Sequence, residues 1–149
     1  MRRRVIVFAG VTLTLLLAFA PRPLCSPQAS SLRATITDAS GTETRADGVH
    51  IHYKNGGGPV GSLPVLRGDT EITVPLTKLG KLVFLREGAH RHPNSVWKSF
   101  VVELTFLDGT EFTGLVSEMW DWRGRTTFGD FRLGFEKTRT VTFSGDAGK

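Results

Sequence analysis

The chain holds one cysteine, Cys25, among its 149 residues. No disulfide can close within it, and any fold it adopts must stand on a packed core. Helical periodicity is missing as well: no window keeps an apolar spacing near 3.6 residues, and residues 77–80 allow at most one helical turn. Signatures of catalysis are also absent. There is no G-x-S-x-G elbow and no paired-carboxylate motif, and Asn55-Gly-Gly-Gly58 lacks the following helix that would make it a phosphate cradle. No catalytic residue is assigned, and the expectation leans away from an enzyme. Basic charge is scarce where a nucleic acid would need it. The pI of 9.9 owes most of its excess to Arg2, Arg3, Arg4 and Arg22, while all 14 acidic residues lie from Asp38 onward. Fifteen basic residues then face fourteen acidic ones in the body, a net +1 with no electrostatic footprint for a phosphate backbone.

Only one long apolar run is present. Residues 5–20 follow Met1-Arg-Arg-Arg4, the charged start and short apolar stretch of a secretory signal peptide, so residues 1–20 read as a leader and the body as periplasmic or secreted. An uncleaved N-terminal anchor is the alternative, because counting on to Leu24 brings the run near the roughly 20 residues that cross a bilayer. Ala18-Phe19-Ala20 offers a small-x-small cleavage pattern, with Pro21 directly after it. Cys25 invites a lipid anchor, yet it follows Pro23 and Leu24 where a lipid-modified cysteine follows a small residue. Residues 21–31, rich in proline and serine, read as a linker, and residues 145–149 as a disordered tail. Residues 32–144 are read as one β domain, long enough for a single core and too short for a second ordinary domain.

Within that body the apolar residues alternate. Leu32, Ala34 and Ile36, then Val49, Ile51 and Tyr53, then Phe100, Val102, Leu104 and Phe106 each share one strand face. Asp108-Gly109 predicts a two-residue type I′ hairpin turn. Residues 69–84 lie over residues 128–143 without a gap, matching Ile72 with Phe131, Val74 with Leu133, Leu76 with Phe135, Leu82 with Val141 and Phe84 with Phe143. Upstream, Val49-His-Ile-His-Tyr53 matches Val102-Glu-Leu-Thr-Phe106, and Leu66-Arg-Gly-Asp-Thr70 matches Trp122-Arg-Gly-Arg-Thr126. The expected fold is all-β: an antiparallel sandwich or partly closed barrel of about ten short strands, built from two similar repeats at 32–86 and 96–144. Residues 107–114 together with Phe128-Gly-Asp-Phe131 resemble β-rich domains of bacterial envelope proteins.

Two clusters could carry function. His50 and His52 project from one strand face, and with His90 and His92 they form two H-x-H units that could hold a divalent metal, although Glu103 and Thr105, ordinary solvent-face residues, stand at the matched positions. Trp120, Trp122, Arg123 and Arg125 crowd into six residues of a segment read as a loop or edge, and both residue types are enriched in recognition surfaces. At the matched place the first half has one aliphatic residue, so the Trp122 ring reads as an addition for partner binding. The sequence therefore points to a non-catalytic β domain that binds an envelope protein or a glycan. The alternatives are a metal-binding protein or metal-dependent enzyme using the H-x-H pairs, and a purely structural envelope module.

Overall fold

The computed structural model describes residues 32–91 and 97–144. The leader, linker and tail expectations, and His92, lie outside them. Ten strands and two 3₁₀ turns follow one another: β1 (Arg33–Asp38), β2 (Glu43–Tyr53), β3 (Ser62–Arg67), β4 (Thr70–Pro75), η1 (Leu76–Lys78), β5 (Leu79–Arg91), β6 (Lys98–Phe106), β7 (Glu111–Ser117), β8 (Trp120–Thr126), β9 (Gly129–Gly134), η2 (Phe135–Lys137) and β10 (Thr138–Ser144). All pairings are antiparallel, in one sheet ordered β4-β3-β7-β6-β5-β10-β1-β2-β8-β9 that curls into a half-barrel. The all-β expectation of about ten antiparallel strands holds, in its partly closed barrel form and not as a sandwich of two packed sheets. A bridge between Ile51 and Val60 brings the run into β3 against β2, from the other side of the curl. No helix among the described residues is long and apolar enough to cross a membrane.

The alternation of apolar residues produces one core. Ile36, Ile51, Leu63, Leu82, Leu104 and Val141 are buried in a single cluster, while the residues between them face outward. An aromatic chain runs through it: Phe143 meets Trp122 edge-on at 6.0 Å, Trp122 stacks on Phe135 at 4.7 Å, and Phe135 meets Phe84 edge-on at 5.4 Å. Such ring pairs add about 0.5–1.5 kcal/mol each beyond the area they bury.

Turns differ from the sequence reading in one instructive way. Phe106 N–H donates to Thr110 O at 2.8 Å and Gly109 N–H to Phe106 O at 3.0 Å, with positive φ confined to Gly109. This is a turn followed by a glycine bulge, not a type I′ turn, because Asp108 keeps negative φ. Its carboxylate is used instead to accept the Thr110 N–H at 2.9 Å. Asp38 and Gly41 repeat the device between β1 and β2, where the Asp38 carboxylate accepts from Ser40 and Thr42 N–H groups. The Ser40 hydroxyl bond, with the Thr42 N–H beside it, holds Asp38 below the usual carboxylate range.

Exchanging β1–β5 with β6–β10 turns the strand order into itself read from the opposite edge. Strand order alone does not make the halves a duplication, and the upstream sequence matches break down. The place of β2 is taken by β7, so Val49 to Tyr53 and Val102 to Phe106, which sit on β2 and β6, are not counterparts. Of the five matched pairs between 69–84 and 128–143, Leu76/Phe135, Leu82/Val141 and Phe84/Phe143 are buried on both sides. Ile72 is exposed, because β4 is an edge strand with no neighbour beyond it.

Candidate binding groove on strands β2, β8 and β9

Trp120 to Thr126 is a strand, correcting the loop reading. It is held between β2 and β9, pairing Ile51 with Trp122 on one side and Trp122 with Leu133 on the other. What makes room for it is the length of β2, whose eleven residues pair with β1 first and β8 afterwards. The change of partner coincides with a bulge between Asp47 and His50 at Gly48, which has φ 63°. Gly124 lets β8 come close there: a Cβ on it would stand 2.9 Å from Asp47 O.

Strand alternation then sorts the segment onto two faces. Trp122 is 0% exposed in the core, which corrects the expectation that its ring is a surface addition for a partner. Its indole Nε1 is buried without a hydrogen-bond partner. Trp120 is half-buried, edge-on to Tyr53 at 5.5 Å, and borders a separate hollow of about 260 Å³ with Pro64, Leu66 and Met119. Arg123 and Arg125 point the other way, into a groove of about 730 Å³ whose walls include Asp47, His50, Asp130 and Arg132. The four residues grouped by sequence therefore divide among the core, a small hollow and the groove.

Three rows of outward side chains cross the groove face. Asp47, Arg125 and Asp130 lie opposite one another on β2, β8 and β9, then His50, Arg123 and Arg132, then His52, Asp121 and Gly134. Asp121 is 2% exposed, and its carboxylate accepts Arg132 Nε at 2.8 Å while Arg132 Nη2 lies 2.7 Å away. Arg125 Nε lies 3.7 Å from Asp130, and Arg33 Nε 2.9 Å from Asp47. Arg123 forms no ion pair among the described residues, and its Nε is buried without a hydrogen-bond partner. At the hairpin tip joining β8 to β9, Phe128 is 99% exposed. Past β9, Lys54 bonds Glu136 at 2.7 Å. Burial acts to raise the Glu136 carboxyl, but the Lys54 bond, the backbone N–H of Glu136 and the charges of Lys54 and Lys137 together outweigh it and hold the group below its usual range.

His50 and His52 share the outer face as the sequence implied. Each spends Nδ1 on a backbone carbonyl, His50 donating to Gly48 O at 2.9 Å and His52 to Tyr53 O at 3.0 Å. No group of three or more His, Cys, Asp or Glu side chains among the described residues is placed to hold a metal ion. His90 lies on β5, paired with Ser99 on β6, and β10 and β1 separate β5 from β2 in the sheet. Sequence reasoning missed Arg132, Phe128 and the Gly48 bulge. The signal available was the alternation itself, since Trp122 and Arg123 must take opposite faces once the segment is a strand.

Comparison with protein-family models, with curated proteins and with solved structures finds no match.

Proposed function

We propose that this chain is a non-catalytic binding domain working outside the cytoplasm, delivered there by the charged and apolar start of its sequence. Its ligand-contacting face is the groove of β2, β8 and β9, and its partner belongs to the cell envelope, as glycan or protein. The observation that carries this reading is the concentration of features on one face: a 730 Å³ groove, an arginine with no ion pair among the described residues, and a fully exposed phenylalanine at the adjoining hairpin tip. Arginine and aromatic side chains are the ones that dominate recognition energies. Arg123 and Arg125 keep the role the sequence suggested, and Arg132, His50 and Phe128 join them in place of Trp122.

The test is retention of the exported chain on washed envelope material from its own host, compared with an Arg123→Ala/Arg125→Ala variant. Wild-type retention, lost in the variant at unchanged thermal stability, is the expected result. Equal retention of both, or of neither, would remove the groove as the binding face.

A further inference from the structure

Among the described residues, pairing of the charges on the groove face leaves Arg123 over. Asp47 is taken by Arg33, Asp130 by Arg125 and Asp121 by Arg132. Arg123, in the middle row, lies between His50 and Arg132 with no carboxylate bonded to it. Like charges directly opposite each other across strands destabilise a sheet, and a buried guanidinium N–H without an acceptor adds a desolvation cost. The fold itself does not ask for this arrangement. At the other edge of the sheet β3 and β4 form a hairpin in the same register, pairing Pro64 with Thr73 and Leu66 with Glu71 where β8 and β9 pair Arg123 with Arg132 and Arg125 with Asp130. That hairpin also packs on a β strand, β7, and closes with no arginine in the corresponding row.

We infer that the groove receives the carboxylate of a sugar acid, with the Arg123 guanidinium as its fork. This rests on the binding reading given above and names the ligand class. Among the described residues the paired groups of this face, Arg33, Arg125 and Arg132 with Asp47, Asp130 and Asp121, cancel and leave the single charge of Arg123, which balances a monoanion and not a phosphate dianion. A planar carboxylate fits the two parallel donors of a guanidinium. The groove, open to solvent and about 730 Å³ in volume, has room for a small molecule. Gly48 at the bulge carries no side chain to obstruct a ring, and Phe128, fully exposed at the adjoining hairpin tip, offers an aromatic face for the C–H side of a sugar.

The experiment follows the side-chain Nε–H resonances of the arginines in ¹⁵N-labelled exported protein. The probes are an oligogalacturonate, a neutral galacto-oligosaccharide of equal length, N-acetylglutamate and inorganic sulfate. The Arg123 Nε–H signal is expected to move with oligogalacturonate alone. Arg123→Gln and Arg123→Lys should each raise the dissociation constant about tenfold or more, since both lose the fork. Arg139→Gln, an exposed site on β10, should leave it unchanged. An equal response to the neutral sugar shows that no carboxylate is read. An equal response to N-acetylglutamate shifts the assignment to a peptide carboxylate, and one to sulfate reduces the site to a general anion site; either overturns the sugar-acid inference. If no probe binds while Arg123→Gln still loses retention on envelope material, the ligand class is wrong and the binding face stands. If retention is unaffected too, both fall.

Discussion

Trp122 stacks on Phe135 with ring centroids 4.7 Å apart and planes inclined by 27°, both side chains shielded from solvent. The contact joins β8 to the turn η2 and anchors to the core the strand that carries the groove arginines. Trp122→Ala should therefore cost on the order of 3–5 kcal/mol, the range for emptying a large aromatic site. Urea unfolding measures it. A loss under about 1 kcal/mol would mean that β8 is not held by this ring.

Gly124 tests how closely β8 lies on β2. Gly124→Ala would place a methyl group 2.9 Å from Asp47 O and 3.4 Å from Ala46 Cβ, so the strands must part. The expected cost is about 1–3 kcal/mol, as for other overpacked sites, together with weaker ligand binding. Thermal unfolding beside a binding titration reads both. A neutral effect would show that the bulge at Gly48 leaves slack.

Phe128 gives the opposite expectation. Fully exposed, it contributes nothing to the core, and Phe128→Ser should leave stability within about 0.5 kcal/mol while lowering affinity for envelope material. Unchanged affinity would exclude the hairpin tip from the contact.

Acid should weaken the tie between Lys54 and Glu136. The Glu136 carboxyl is depressed in the folded protein, so its contribution is present above the ordinary glutamate value, about 4.3, and is lost as pH falls through the lower folded value. Partial exposure screens the pair to about 1 kcal/mol or less. Stability measured from pH 6 to 3 should fall less steeply in Glu136→Gln than in the parent. Identical slopes would show that the pair contributes nothing.

Much of the sheet was legible in the chain because local alternation encodes it. Phe100, Val102 and Leu104 could be assigned to a strand, and Asp108-Gly109 to a turn, from neighbouring residues alone. Trp120 to Thr126 was not, because its strand depends on β2, whose continuation past the Gly48 bulge is a distant partner. The match of Arg67-Gly68 to Arg123-Gly124 misled for a physical reason. The first pair leads through the β3–β4 turn, where Gly68 has φ 61°, and the second lies mid-strand, where Gly124 allows close approach. Leu63 pairs with Val74 in one hairpin as Trp122 pairs with Leu133 in the other, Leu63 and Trp122 both fully buried, and Phe128 is left as an aromatic residue that packing does not require.

Amide hydrogen exchange of the exported chain, free and saturated with the envelope material that retains it, tests the binding face most directly. The expected result is protection confined to residues 47–50 and to β8 and β9, with β3, β4 and β7 unchanged. Protection centred instead on the Trp120 hollow beside β3 and β7, or spread evenly over the sheet, would contradict the account.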